Sequence, residues 1–320
     1  MNKKYYAILF LFLLIVAVAS IGAFAYREYC ESAIMRGQYT FMNTRNNIKG
    51  LHKIAIHTPQ FGEINLYRKE GEWYFKEANN YFINSKMLAC FYNMINKSMI
   101  LTVNNATEKQ LQNNELTNKT GTVVKTFDIE GKLLDEIIIG KHLENEQMTF
   151  ARRGAKKYIY TISEVGCFSG NADSWLPYPL LNIDDNLIKD IVINGESAGN
   201  SRLLSNKKYQ KELEKIMKTL QFVDYLGITY KDELQQNYPQ IKPTKLEIVI
   251  VGGLIYMLDV YKIEDTYWMT VTLHTEKVAR KLVAKFAKDN QKYFIDWLFH
   301  LNSAQGEVLY NAIRLINNNY

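Results

Sequence analysis

Cysteine is scarce in this chain, and histidine is both scarce and scattered. The three cysteines in 320 residues form neither a disulfide framework nor a paired zinc-binding motif. The five histidines include no HExxH pair, so the sequence offers no set of converging metal ligands. The sequence therefore predicts no bound metal and no cofactor.

Motifs for phosphate binding are absent from the sequence as well. There is no GxxxxGK(S/T) loop, and Gly252-Gly253 is followed by no lysine, which indicates a turn. Asp184 and Asp185 are adjacent, and adjacent carboxylates point in different directions on a strand or a helix. They are interpreted as the cap or start of an element. We expect no catalytic residues and no small-molecule substrate, so the protein is not expected to be an enzyme.

Basic charge is not concentrated enough to indicate a nucleic-acid partner. The chain has 39 Lys+Arg and 33 Asp+Glu, and the basic residues are dispersed, whereas nucleic-acid-binding proteins cluster them on one face. The densest group lies on one predicted hairpin tip, where it is either a solvated turn that protects a sheet edge or a contact for acidic headgroups or an acidic partner. The solvated turn is the preferred interpretation. The group consists of Arg152, Arg153, Lys156 and Lys157.

Cys90 and Cys167 are the one pair that can form a bridge within the folded part of the chain. Cys90 lies on an apolar helical pattern, where small buried thiols are common. A bridge and two unbridged thiols both stay open at this point, and the helical pattern favours the thiols.

A long apolar run stands at the start of the chain. Tyr5–Tyr26 carries no charge over about the length of a membrane-spanning helix. Lys3 and Lys4 precede it, which places the start in the cytoplasm by the positive-inside rule. Residues 1–27 are therefore predicted to be a cytoplasmic tip and a transmembrane anchor. A cleaved signal peptide is the alternative, because Ala23–Ala25 fits a small-x-small cleavage site, but the length of the run favours the anchor.

The remainder of the chain contains the same pattern twice. The hairpin "TFDIEGKLLDEIIIGK" returns as "EIVIVGGLIYMLDVYK", with Ile129 matching Ile250 and Gly131 matching Gly252, and an amphipathic helix precedes each copy. The sequence predicts an α+β fold: two tandem copies of a module of antiparallel β-hairpins packed on an amphipathic helix, preceded by one transmembrane helix. The predicted boundaries after the anchor are a polar linker at 28–49, a first module at 50–186 and a second module at 187–320.

A helix is predicted from about Glu276 to Leu301. Val278, Leu282 and Phe286 form one face of it. A basic amphipathic helix can lie on a membrane, but a helix packed on a sheet with its lysines in water has the same pattern and is the preferred interpretation. The basic residues on the other faces are Lys277, Arg280, Lys281, Lys285 and Lys288.

The order "INLYRKEGEWYF", helix, "EKQLQNNEL", "FDIEGKLLDEIIIGK", "MTFARRGAKKYIYTI" and a closing Trp-Leu segment resembles a known family. It is a domain-of-unknown-function family of membrane-anchored extracytoplasmic bacterial proteins associated with gliding-motility-type ABC transporters. The resemblance covers residues 49–193 well and the second half more loosely. It departs from the family pattern at Ala78, where proline is usual, and at Asn114-Glu115-Leu116, where a Tyr-Gly-Leu-like connector is usual. The resemblance implies a single-pass protein of the bacterial inner membrane, with the bulk on the periplasmic side, but no reaction.

These observations predict a membrane-anchored extracytoplasmic accessory or scaffold protein of an ABC-transporter-type envelope complex, acting by protein–protein interaction. Its expected partners are the lipid bilayer, through residues 5–26, and envelope or transporter proteins. The alternative is an envelope glycan-binding module, because 22 tyrosines and 4 tryptophans can stack on sugars.

Overall fold

The chain divides into two compact units. The first unit contains Met1–Gly71 and Ser85–Trp175, and the second contains Glu72–Asn84 and Leu176–Tyr320. The structure is a computed structural model that describes residues 20–23, 25–26, 40–143, 147–163, 166–193, 195–198 and 207–317.

Antiparallel strands form most of the first unit. Within it the strand order is β2-β1-β6-β7-β8-β9-β5. The strands are β1 (Lys53–Thr58), β2 (Gly62–Lys69), β5 (Ile100–Asn105), β6 (Thr122–Phe127), β7 (Leu133–Leu143), β8 (Met148–Arg153) and β9 (Tyr158–Ser163), while β3 (Glu72–Phe75) and β4 (Tyr81–Phe82) lie in the second unit.

The core of the first unit follows from strand alternation, because successive side chains of a strand point to opposite faces. Ile54 and Ile56 of β1 are fully buried, and each lies opposite a buried residue of β2. Helix α1 (Ser85–Lys97) buries Phe91, whose ring lies 6.2 Å from the ring of the fully buried Trp175. The short helix α2 (Glu108–Asn113) follows β5.

A disulfide joins Cys90 of α1 to Cys167, with the two Cα atoms 5.4 Å apart. The preferred sequence interpretation, two unbridged thiols, is therefore wrong. Cys90 is only half-buried and Cys167 is exposed, so neither sulfur lies in the apolar interior that the helical pattern indicated.

The second unit has the same strand order as the first. Its sheet runs β11-β10-β13-β14-β15-β16-β12, so each strand in order of appearance occupies the position of its counterpart in the first unit. Gly131 and Gly252 both have positive φ and lie in the corresponding turns, β6 to β7 and β13 to β14. The strands are β10 (Ile188–Ile193), β11 (Glu196–Ser197), β12 (Tyr225–Tyr230), β13 (Thr244–Ile250), β14 (Leu254–Ile263), β15 (Thr266–Thr275) and β16 (Trp297–Leu301).

Helices pack on this sheet and complete its core. Ile216 of α3 and Leu309 of α6 are fully buried with the inward residues of β13 to β16. The helices are α3 (Lys207–Leu220), α4 (Lys231–Asn237), α5 (Lys281–Asn290) and α6 (Ser303–Asn317).

The hairpin of β3 and β4 contributes to the second unit although it comes from the first half of the sequence. Tyr81 is buried, its ring packs edge-on against Trp297 at 4.9 Å, and its hydroxyl donates to the carbonyl of Tyr293 at 2.8 Å. Burial raises the pKa of the Tyr81 phenol well above its usual range. The tip of the hairpin is fixed too, since Asn79 donates to the carbonyl of Ile228 at 2.8 Å.

The fold-class prediction requires a correction. The mixed helix and strand content and the antiparallel sheets agree with it, but the transmembrane helix does not: within the described part of the chain, every helix is too short or too polar to cross a membrane. Most of the predicted anchor, Tyr5–Tyr26, lies outside the described residues. The anchor is therefore not part of the observed fold.

The long helix predicted from Glu276 to Leu301 is also wrong in its second half. α5 ends at Asn290, a short 3-10 helix covers Gln291–Tyr293, and the last residues form β16. Trp297, Phe299 and Leu301 alternate along this strand and all are buried. Burial between β15 and β12 outweighs the helical periodicity there.

Candidate interaction site

The basic hairpin tip connects β8 to β9 through Gly154, which has a φ of +48°. Arg153 is directed into the protein. Its Nε donates to the carbonyl of Phe41 at 2.9 Å, its Nη2 donates to the carbonyl of Thr40 at 3.1 Å, and its guanidinium lies 5.2 Å from the centre of the Phe41 ring. Arg153 therefore fixes the backbone at Thr40 and Phe41.

Arg152 also has internal partners, whereas the two lysines point outward. Arg152 donates from Nε to the carbonyl of Lys156 at 2.8 Å and from Nη1 to the carbonyl of Leu116 at 3.1 Å. Lys156 and Lys157 are exposed, and Lys157 lies 3.2 Å from Glu108. An exposed ion pair contributes about 0–1 kcal/mol. Of the four predicted contact residues, only the two lysines extend into solvent. Their role in contacting a headgroup or a partner stays a prediction.

Asp135 of β7 is a buried carboxylate on the same sheet. Its Oδ2 accepts from the backbone N–H of Asn43 at 2.6 Å and of Thr44 at 3.3 Å, at the start of a 3-10 helix over Asn43–Gly50. Burial raises the pKa of Asp135, although these hydrogen bonds and the charge of Arg153 act in the opposite direction. Asp135 and Arg153 together attach residues 40–44 to the sheet.

We expect Asp135→Ala to lower the free energy of unfolding by about 1–3 kcal/mol, because it removes the acceptor of two backbone N–H groups, of which that of Thr44 is buried. Asp135→Asn keeps an acceptor and is expected to cost less. Because the pKa of Asp135 is raised, the folded state binds the proton more tightly than the unfolded state. The stability contributed by this group therefore falls as the pH rises from the ordinary aspartate pKa through the raised one. Urea unfolding across that range measures this fall.

The asparagine variant is the control for the pH dependence. The fall in stability that arises from Asp135 is expected to be absent in Asp135→Asn, and an unchanged pH profile would contradict the assignment to Asp135.

A groove of about 410 Å³ lies over β1, β2 and β6 of the first unit. Two rows of side chains cross these strands, and within each row the residues lie opposite one another on neighbouring strands. One row runs Glu63–His57–Val123, and the other runs Asn65–Ala55–Lys125. We call the sheet face that carries these rows the outer face, and the groove is lined by Ala55, Ile56, His57, Glu63, Asn65, Asn118, Val123 and Lys125.

The edge of the groove at Asn118 is positioned by α2 and the loop after it. Thr107 begins α2 with a capping box, in which the Thr107 N–H donates to the Gln110 side chain at 2.9 Å. Leu111 and Leu116 then pack with Ile159 and are fully buried. This packing holds the loop that carries Asn118 against the sheet.

Two glycines allow that loop to lie directly on the outer face. A Cβ at Gly140 would stand 2.1 Å from the carbonyl oxygen of Asn114, and a Cβ at Gly121 would stand 2.1 Å from that of Glu115. Only glycine fits such a close backbone approach. The backbone N–H of Lys141 donates to the carbonyl of Asn114 at 3.1 Å and closes the contact.

The groove combines a small apolar floor with hydrogen-bonding groups and charges of both signs. Lys125 lies 3.4 Å from Glu136 of β7, and both side chains are partly exposed. The groove is partly open to solvent, and among the described residues its lining includes no Phe, Tyr or Trp. Such a surface suits a polar protein segment that places side chains between the two rows, and its described lining lacks the Tyr and Trp rings that stack on sugars.

Two other sequence interpretations concern local structure, and the structure confirms both. Asp184 caps the 3-10 helix Asp185–Leu187 by accepting from the N–H of Asn186 at 2.9 Å, and this hydrogen bond lowers the pKa of Asp184. Gly252 and Gly253 form a turn with positive φ between β13 and β14.

Comparison with known proteins adds no relative. Neither a family model, nor a curated protein, nor a solved structure matches this chain. Among the described residues, no group of three or more His, Cys, Asp and Glu side chains is arranged to hold a metal ion.

No motif in the sequence indicates the groove. The sequence contains part of the pattern from which the groove could be predicted. The alternation of Ile54 and Ile56 in β1 places Ala55 and His57 on the opposite face of the strand. The pairing of β1 with β6 joins residues far apart in the chain, and neither strand pattern alone specifies it.

Proposed function

We propose that this protein is an extracytoplasmic accessory or scaffold protein of a bacterial envelope complex, which acts by binding another envelope or transporter protein and not by catalysis. The observation that carries the proposal is the open polar groove on the outer face of the first unit, built by two rows of side chains on rigid strands. The resemblance described above supports envelope proteins of the ABC-transporter type as the class of partner.

The disulfide supports the extracytoplasmic location. Structural disulfides persist in oxidising compartments, which include the bacterial periplasm, and are rare in the reducing cytosol. Cys167 is exposed, so a reductant can reach the Cys90–Cys167 bridge. The bridge is therefore expected to be retained where the surroundings are oxidising.

The composition of the groove supports a protein partner over a glycan. His57, Glu63 and Lys125 give it both signs of charge and several hydrogen-bonding groups around a small apolar floor. The rims of transient protein interfaces are polar in this way. Complementary charges fix the register of a partner more than they add affinity.

The proposal is tested by affinity purification of the full chain from its native membranes. Asn118→Arg places a long charged side chain at the edge of the groove, and we expect it to reduce the recovery of the co-purified envelope protein about tenfold, which corresponds to about 1.4 kcal/mol. Asn104→Arg on β5 is the matched control, because Asn104 and Asn118 are both exposed asparagines. We expect Asn104→Arg to leave the recovery unchanged. Equal recovery with the two variants would overturn the assignment of the groove.

A further inference from the structure

α5 exposes the apolar face that was expected to pack on the sheet. Val278, just before the helix, is 88% exposed, and Leu282 and Phe286 are 81% and 48% exposed. The helix instead packs against the core of the second unit through Val283 and Ala287, which lie on an adjacent side of it. The exposed side chains are called the apolar ridge below.

The contacts at both ends of α5 fix this orientation. Before the helix, the backbone N–H of Glu276 donates to the carbonyl of Gly253 at 2.8 Å, and the Glu276 carboxylate accepts from Lys189 at 2.8 Å. After the helix, the Gln291 side chain accepts from the backbone N–H of Leu273 at 2.8 Å. The contacts at the two ends of α5 therefore keep the apolar ridge exposed on the second unit.

Basic residues surround the apolar ridge. Lys285 stands three residues after Leu282, a spacing that makes the two side chains neighbours on the helix surface, and Lys281 directly precedes Leu282 in the chain. Five basic residues of the segment are exposed, and its acidic residues are Glu276 and Asp289, which leaves the segment with a charge of +3. The five are Lys277, Arg280, Lys281, Lys285 and Lys288.

We propose that α5 binds an anionic lipid surface. Leu282 and Phe286 enter the boundary between headgroups and acyl chains, and the neighbouring lysines meet the lipid phosphates, as in helices that lie in the plane of a membrane. Charge complementarity selects this occupant, since basic residues at a membrane surface are attracted to acidic headgroups. A stable protein interface covers roughly 800 Å² on each partner, and a ridge of three side chains is too small to anchor one.

The test uses the full chain with an environment-sensitive fluorescent amino acid at position 282, mixed with phosphatidylcholine vesicles with or without phosphatidylglycerol. We expect a blue shift of the emission only with phosphatidylglycerol. We also expect quenching by lipids that carry a nitroxide high on the acyl chain. The paired change Lys281→Glu and Lys285→Glu is expected to raise the lipid concentration needed for half of the shift by at least about tenfold, since each basic residue near the surface contributes on the order of fivefold.

The same fluorophore at position 226 is the matched control. Leu226 lies on β12 of the second unit and is 62% exposed, and no shift is expected there. Four results would overturn the proposal: no shift at 282, an equal shift without phosphatidylglycerol, an equal shift at 226, or a blue-shifted emission at 282 before lipid is added. The last would indicate that protein already covers the ridge.

Discussion

Replacing both bridged cysteines, Cys90→Ser with Cys167→Ser, is expected to lower the free energy of unfolding of the first unit by about 4 kcal/mol. The bridge closes a loop with a sequence separation of 77, and without it the unfolded chain gains the conformational freedom of that loop. Urea unfolding, detected by amide hydrogen exchange in α1, measures the loss of stability in the first unit alone. Dithiothreitol treatment of the parent protein is expected to produce the same loss.

Cys30→Ser is the control for this experiment. Cys30 lies outside the described residues, and the bridge joins the other two cysteines, so we expect this variant to behave like the parent protein with and without reductant. If the double variant unfolded at the same urea concentration as the parent protein, the bridge would have no role in stability.

Gly140→Ala is expected to lower the stability of the first unit by about 3 kcal/mol. The added methyl group would stand 2.1 Å from a backbone oxygen and 2.8 Å from Cδ2 of Leu116. The backbone cannot rotate away as the end of a long side chain can, so the loop that carries Leu116 must lift from the sheet. Overpacking of this kind costs about 1–3 kcal/mol and more where backbone is displaced. The same unfolding experiment measures it.

Gly227→Ala provides the matched strand control. A Cβ at Gly227 of β12 meets only the Cβ of His300, at 3.9 Å, and alanine is better than glycine in a strand interior because it loses less conformational entropy. We expect this variant to be neutral or slightly stabilising. Because the Gly140 loop also carries Asn118, Gly140→Ala should in addition weaken partner recovery. A variant with full stability would show that the loop does not lie on β7 as described.

Local patterns predicted the elements that have their own hydrophobic period. The stripe through Phe91 and Ile95 indicates α1, and the alternation of Ile54 and Ile56 indicates β1, because in each case the period of the apolar residues determines which face is buried. The turn at Gly252-Gly253 is local as well, because glycine adopts the positive φ that both of its residues have. These features require no information from distant parts of the chain.

The remaining features depend on contacts between distant residues. Tyr81 comes from the first half of the sequence and packs against Trp297, and no local pattern indicates that its hairpin completes the second unit. Arg153 is a charged residue in a basic turn, a pattern typical of a solvated hairpin tip, yet its guanidinium donates to the carbonyls of Thr40 and Phe41. The prediction that the face of Val278, Leu282 and Phe286 packs on the sheet was wrong. Three apolar residues at helical spacing specify a face of a helix but not what that face contacts.

The most direct test of the proposed function is site-specific photo-cross-linking from the groove in native membranes. A photoreactive amino acid at Asn65 of the full chain is irradiated, and the adducts are identified by mass spectrometry, with position 104 as the control. We predict one dominant adduct with an envelope or transporter protein from position 65 and none from position 104. Equal adducts from both positions, or none from position 65, would contradict an interaction through the outer face of the first unit.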